Sequence, residues 1–422
     1  WRFIKREGLI SGTWEQSLAY RVINFIVNLP SNILRKVYLR FEGVFSASLF
    51  IKAARIILSR LELILGLAVV IILVTRHEHW NNLYSLIIAL LMTAAFFLKT
   101  VIEKDERFNV GRLDVTFLFF SFAVIAAGLF SISMSDSLRF LFFYITCFLM
   151  VLVITSSINS TESLNVFINI MLVGVFVMGV YAVWQFITGV PTDPSLTDLN
   201  LNEGMPGRVY STVDNPNNYA EILVLTLPFF ASAALNAKRL LTRLLFVLMS
   251  LPPLISLGLT GSRSGWIAFA CSVFVFLFFK KRILIPLFVV LGIASVPFMP
   301  DFIVRRAMTV LNATNDTSVM YRVKIYQTFL PMFKDYWASG IGLGTDIFMK
   351  VIEGYYRFTD KTPLHTHNLY LQVWIESGVV AAAAFVWFMI RTVKRCIISI
   401  YSGADSSLRN ILVSGISSAA GI

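Results

Sequence analysis

Long apolar runs, separated by short polar or basic stretches, follow one another along most of the chain. They occupy residues 61–75, 83–98, 115–133, 138–157, 164–188, 219–236, 244–260, 264–279, 283–299 and 368–390, and a further run begins near 410. Within each run the apolar residues are consecutive instead of alternating with polar ones, which argues for helices over half-buried strands. A bilayer-crossing helix needs roughly 20 apolar residues, and in lipid only helices or closed barrels satisfy their own backbone groups. The pattern predicts an all-α, polytopic transmembrane helix bundle of about 11–12 spans, the last one truncated, with two long extracytoplasmic loops. Those loops are 189–218 and 300–367; since long connections are uncommon unless functional, the chemistry is expected on that face.

Composition agrees with a bilayer. Hydrophobic residues make up 57% and charged residues 14%, against roughly 45–50% and about 25% in soluble domains. The chain starts at Trp1 and stops within an apolar run, so we expect a piece of a slightly longer protein. The three cysteines, Cys147, Cys271 and Cys396, lie far apart and suggest neither a disulfide framework nor a zinc site.

The net charge of +12 bears on membrane sidedness, with no nucleic-acid partner expected. With the N-terminus in the cytoplasm, two-thirds of the Lys and Arg residues fall on the cytoplasmic side. Apart from 300–367, the outer connections carry one each: Arg76, Arg139, Arg208 and Arg263. Every short loop then obeys the positive-inside rule. Residues 1–60 differ, with ten basic and three acidic residues among aromatic and aliphatic ones. They read either as amphipathic helices lying on the anionic inner leaflet or as a cytoplasmic tail packed on the bundle. The domain division follows: 1–60 as a basic extension and 61–422 as the membrane domain.

The scarce polar residues then fall on one side. "GRVYSTVDNPNNYAEIL" (Gly207 to Leu223) ends the first long outer loop, "GLTGSRSGW" (Gly258 to Trp266) is an outer turn, "YRVKIYQTF" (Tyr321 to Phe329) lies in the second loop, and "HTHN" opens the run at 368. The runs starting at 219, 264 and 368 all point their N-termini outward, where helix ends attract anions. Asn217 or Asn218, Ser262 or Ser264, and Asn368 are candidate N-caps, with Asn215 beside the first pair. Arg208, Arg263 and Arg322 near those ends make a candidate anion pocket suited to phosphate or diphosphate. Plainer readings stand beside it: a small-residue turn whose Arg263 snorkels to headgroups, and a solvated surface around Arg322.

Asn368, Gln372 and Glu376 are spaced four apart and share one helical face. Polar groups within a span usually face the bundle interior or a water-filled cavity. His367 sits at the mouth of this stripe beside His365, and its ordinary pKa suits proton transfer near neutral pH. An interfacial histidine pair is the plainer alternative. A metal site with His77 and His79 lacks a supporting carboxylate or cysteine at ligand spacing, so neither metal nor cofactor is expected.

At these residues the chain resembles the O-antigen ligase family, which is similar to the Wzy-type polysaccharide polymerases. His367 and Asn368, nine residues, Gly378 and then Ala381 follow the family's H-N-x9-G-x-x-G/T/Y pattern, with Ala381 where the family has Gly, Thr or Tyr. "STVDNPNNYA" is similar to its NPN segment and "TGSRSGWIA" to its SR-G turn. "YRVKIYQTFLPMFKDYWASGIGLG" resembles the region with an R-x3-L motif and a G-x-G-x turn, with Tyr326 in place of the leucine. The resemblance runs over about residues 115–420.

What the resemblance implies is a glycosyltransferase on the outer face of the bacterial cytoplasmic membrane. The donor would be an oligosaccharide on undecaprenyl diphosphate, and the acceptor a hydroxyl of a glycan, lipid or protein. His367 would be the general base, and Arg208, Arg263 and Arg322 would hold the diphosphate leaving group. Asn215, Asn217, Asn218, Ser262, Ser264, His365, Asn368, Gln372 and Glu376 would contact substrate. A transporter or flippase for a lipid-linked or anionic substrate is the alternative from another class. It is disfavoured because the charged residues gather at one face, not at the midplane of inverted repeats.

Overall fold

The computed structural model describes residues 14–103, 105–190, 207–308, 317–358 and 362–421. Among them are seventeen α-helices, four short 3-10 turns and no strand. In chain order they are α1 Leu18–Arg40, α2 Glu42–Ala47, α3 Leu49–Leu58, α4 Leu61–Val74, α5 Asn82–Ile102, α6 Val115–Leu129, α7 Met134–Ser157, α8 Thr161–Thr188 and α9 Pro216–Asn236. After these come α10 Leu240–Leu259, α11 Arg263–Lys281, α12 Ile285–Ser295, α13 Asp301–Met308, α14 Thr317–Tyr336, α15 Thr345–Glu353, α16 Leu369–Tyr401 and α17 Ser406–Ala420. The polytopic helical bundle expected from the apolar runs is what forms.

Six helices, α5, α7, α8, α9, α10 and α16, are long and apolar enough to cross a membrane, and eight spans result if two bent pairs each count as one. This is fewer than the apolar runs suggested, for identifiable reasons. The run at 61–75 is half of a pair, α3 with α4, bent by 71°. The runs at 264–279 and 283–299 follow each other without a loop, joined at Lys281, whose dihedrals are not helical (φ −158°, ψ 74°). The run at 115–133 yields only the 15-residue α6, because Ser131 Oγ donates to the Ile341 carbonyl of a neighbouring loop and accepts from the Ser133 amide in a turn. The segment 300–367, expected as a long loop, instead carries three helices, α13 to α15.

Two compact units make up the chain. The first comprises the residues up to Leu65, Asn81–Ser163 and Arg322–Thr392. Here α1 and α3 pack on α5, and α5 and α6 pack on α7. α1 is turned inside out: Asn28 is buried and exchanges two hydrogen bonds with the Phe108 backbone, while Val22, Phe25, Ile26 and Ile33 are exposed. Asp114 caps α6 through the Thr116 amide, and the buried Arg391 guanidinium pairs with its carboxylate at 3.1 Å.

The decisive local feature of this unit is the segment Gly340-Ile341-Gly342-Leu343-Gly344. Its three glycines have φ of 73°, 111° and 101°, which glycine adopts without steric cost. The Ile341 and Gly342 amides donate to the Ile375 and Glu376 carbonyls of α16 at 2.8 and 3.0 Å. On the other side Leu343 N–H donates to Ser137 Oγ and Ile341 O accepts from Ile132 N–H. α16 is correspondingly broken at Gly378 (φ 75°, ψ 175°). The glycine segment satisfies carbonyls that the break leaves open.

The second unit comprises Gly66–Trp80, Leu164–Tyr321 and the residues from Val393 onward. α9 is its centre, packed by α10, α11 and α17. Small residues let these helices approach, as is common between membrane helices. A Cβ on Gly265 of α11 would sit 2.8 Å from the Ala220 Cβ of α9. Ser414 and Ser418 of α17 donate to the Pro228 and Leu225 carbonyls of α9.

Candidate active site

In the first unit the site is a short turn ahead of α16. Asn368 is the N-cap, its Oδ1 accepting from the Leu371 amide at 3.1 Å, as expected from the sequence. The helical face shared by Asn368, Gln372 and Glu376 also forms. Gln372 Nε2 donates to Glu376 Oε1 at 2.7 Å, and Gln372 Oε1 accepts from the Thr366 amide at 2.7 Å. Thr366 is fully buried, and its hydroxyl donates to the Asn368 carbonyl.

Between those two residues lies His367 with φ 55°. A β-carbon in the left-handed region is strained, and such strain collects at functional sites. Its amide donates to His365 Nδ1 at 3.1 Å, and the two imidazole centroids are 4.2 Å apart. Because His365 Nδ1 accepts, neutral His365 carries its proton on Nε2. Both rings reach the surface yet are crowded by protein. Partial burial, with the His365 ring and Arg322 beside it, pushes the His367 pKa down to about 4. Burial and Arg322 also lower that of His365. His367 is therefore neutral throughout the physiological range. Arg322 is exposed, and it sits on helix α14 instead of in the loop expected for it.

The second unit holds a cluster of arginines at the N-terminus of α11. Ser262 caps that helix through the Gly265 amide, while Ser264 lies exposed beside it. Arg208 is 8% exposed; its Nε donates to the Thr260 carbonyl at 2.6 Å and one terminal nitrogen to Asn217 Oδ1 at 2.7 Å. The Arg306 Nε donates to the next carbonyl, Gly261 O, at 3.4 Å. Burial together with the charges of Arg306 and Arg263 lowers the Arg208 pKa to about 10. Three cations thus converge where a helix N-terminus adds further positive potential.

The cap of α9 is Asn215, whose side chain accepts from the Asn217 amide. Asn217 and Asn218, the caps expected, are displaced from that role because Pro216 takes the first helical position. Asn217 is instead bound by Arg208, and Asn218 donates to Asp214. The loop leading there is fixed by Gln185, which exchanges two hydrogen bonds with the Ser211 backbone.

The polar residues expected at one pocket are thus divided. Arg208, Arg263, Asn215, Asn217, Asn218, Ser262 and Ser264 belong to the second unit, and Arg322, His365, His367, Asn368, Gln372 and Glu376 to the first. Sequence reading missed Arg306, buried at 9% exposure, because it lay in a stretch taken for loop. The amphipathic pattern of "DFIVRRAM" was the available signal. Among the described residues no three His, Cys, Asp or Glu side chains gather as a metal site would require.

Residues 244–386 match the family model described as O-antigen ligase. No curated protein matches the chain. The matched stretch is narrower than the resemblance read from the motifs. It takes in Arg263, Arg306, Arg322 and the whole turn from His365 to Glu376, and it leaves Arg208 outside. Over this third of its length the chain, whose described residues include six helices long and apolar enough to cross a membrane, is similar to the O-antigen ligase family.

Proposed function

We propose that the protein transfers or polymerises an oligosaccharide from undecaprenyl diphosphate onto an acceptor hydroxyl, on the outer face of the bacterial cytoplasmic membrane. The observation that carries this reading is the strained, neutral His367 held at the mouth of a polar helix face. In the step proposed, the acceptor oxygen attacks the anomeric carbon and forms the new glycosidic bond. The bond from that carbon to the diphosphate oxygen breaks, and the lipid diphosphate leaves with the electron pair. His367 accepts the acceptor's proton as general base.

Positive charge placed where the leaving group develops its own is a frequent and large contribution to catalysis. Arg208, Arg263, Arg306 and Arg322 are assigned that part. The serines and asparagines at the ends of α9 and α11, with His365, Asn368 and Gln372, are assigned to substrate. No metal or nucleotide enters the step, since the diphosphate is already an activated leaving group. Acceptor identity, and with it ligase against polymerase, follows from the product.

The test is a turnover assay in proteoliposomes. Wild type and His367→Ala receive a mixed pool of undecaprenyl-diphosphate glycans from the native host. Lipid diphosphate release by wild type but not by the variant is expected, and the glycan's new partner identifies the acceptor class. Equal release by both would remove His367 as base. A donor left intact but moved across the bilayer would establish the transporter alternative.

A further inference from the structure

We propose that Gln372 is the positioning residue of the histidine turn, carrying the fixed location of Glu376 to Thr366 and so holding His367 in its left-handed conformation. This rests on the reading of His367 as general base.

The argument begins with an obligatory donor. The Thr366 amide is buried and can only donate, so the Gln372 side chain must turn its carbonyl oxygen towards it. That choice fixes the other end of the amide: its NH2 must face Glu376 Oε1. The orientation of Gln372 is therefore set by the network and not free to flip. Glu376 is itself held. It is 5% exposed, its carbonyl accepts from the Gly342 amide at 3.0 Å, and the Tyr144 hydroxyl and the Gly344 amide lie beside its carboxyl group. Gly344 in turn cannot move far, because it sits against the Phe140 ring at φ 101°. Position is thus transmitted from the glycine segment to Glu376, to Gln372, to Thr366.

At the upper end the turn is held by side chains. The Thr366 amide goes to Gln372, the His367 amide to His365, and the Asn368 amide and carbonyl to Thr366 Oγ1. A residue at φ 55° persists only where its surroundings over-determine it. Gln372 supplies the connection from that turn into the buried part of α16. Removing its acceptor frees the Thr366 amide and lets His367 relax to ordinary dihedrals, away from His365 and Arg322.

The chemistry of the relay allows a swap test. Gln372→Glu sets two carboxylates against each other, and Glu376→Gln sets two NH2 groups against each other or a donor against the Gly344 amide. The double variant Gln372→Glu/Glu376→Gln restores every pair. Glu at 372 accepts from Thr366 and from the new amide at 376, whose oxygen accepts from Gly344. The non-additivity of the pair is the quantity measured.

The four proteins, with His367→Ala alongside, are assayed in proteoliposomes with the native undecaprenyl-diphosphate glycan pool. Each single variant is expected to lose about 100-fold in kcat, as misplacing a catalytic group by about 1 Å can, with KM for the donor nearly unchanged. The swap is expected to recover most of the loss. The pH profile supplies a readout that a merely structural role would not move. With the turn released, His367 leaves the two groups facing it, His365 and Arg322, and the acid limb of kcat rises from about 4 towards the ordinary value of about 6.5. Hydrogen exchange at the Thr366 amide should rise in the singles and fall back in the swap.

If His367→Ala turns over like wild type, the base reading fails and the positioning role with it. If His367→Ala is inactive while the singles match wild type, His367 stands as base and the relay is refuted. Losses in the singles that the swap does not repair, with the acid limb unmoved, would also overturn it.

Discussion

Replacing Gly378 by alanine tests the local architecture on which the site depends. Gly378 has φ 75° and ψ 175°, a region that is essentially reserved for glycine. A Cβ there would collide with the Ala338 carbonyl oxygen and lie 2.9 and 3.0 Å from the Ser339 carbonyl carbon and oxygen. These are backbone atoms, so no flexible side chain can give way. Three backbone hydrogen bonds depend on the same break: Ile341 N–H to Ile375 O, Gly342 N–H to Glu376 O, and Val379 N–H to Ala338 O. Strain of about 1–3 kcal/mol and about 1 kcal/mol for each bond lost give roughly 3–6 kcal/mol, the lower end applying if α16 straightens and regains some helical bonds. Thermal unfolding in detergent, followed by tryptophan fluorescence, should show the midpoint falling by roughly 5–10 °C. Gly43→Ala and Gly292→Ala are the controls, because a Cβ at either meets nothing within 4 Å. A Gly378→Ala protein that melts with wild type would refute the account of the glycine segment as a brace.

Three further outcomes are expected. The His367 pKa in the folded chain, about 4, lies below the ordinary value of about 6.5. As pH falls the unfolded chain takes up this proton first, so the stability due to neutral His367 is present above about 6.5 and is lost between about 6.5 and 4. Turnover should accordingly persist well below pH 6.5, and His365→Ala should move the acid limb upward in a pH–rate profile. Asn368→Ala removes the cap of α16 and should cost about 1 kcal/mol, with faster hydrogen exchange at the Leu371 amide as the local readout. Arg391→Met leaves the Asp114 carboxylate buried without its cation and should cost about 3–5 kcal/mol. Arg391→Met/Asp114→Asn should recover most of that loss in the same melting assay, because asparagine keeps the Thr116 cap.

How far the chain could be read beforehand depended on which forces were local. Apolar runs report burial in lipid directly, and the helices of the bundle were legible from them. A change of direction at a single residue leaves no such trace, and Lys281 and Gly378 went unread for that reason. The stripe Asn368, Gln372 and Glu376 was legible because helical periodicity alone brings residues four apart together. The cap of α9 was misplaced by two residues although "NPN" contained the answer. Proline suits the first helical position, so Asn215, and not Asn217 or Asn218, was the residue free to cap. Arg306 needed tertiary information, since only packing brings α13 to the Gly261 carbonyl. The strain at His367 was unreadable, because the residues that impose it are the side chains that share its turn.

The spacing of the histidine motif has a physical reason in this fold. Asn368 opens a helical segment and Gly378 closes it, so the segment between them is nine residues long. In that length the positions four and eight beyond Asn368 complete the inward face, and both are occupied, by Gln372 and Glu376. Deleting one residue ahead of Gln372 would leave Gln372 and Glu376 four apart but turn Thr366 and Asn368 through about 100° relative to them. A turn that stayed on Gln372 would instead carry Glu376 from Tyr144 and the Ile375 and Glu376 carbonyls from the amides of Ile341 and Gly342. The cap, the two polar residues, the break and the glycine segment therefore constrain one another, and a fixed count between histidine and glycine is what they have in common. A one-residue deletion among Leu369, Tyr370 and Leu371, whose side chains the relay does not use, should accordingly abolish turnover as thoroughly as His367→Ala while leaving every polar residue of the site in the chain.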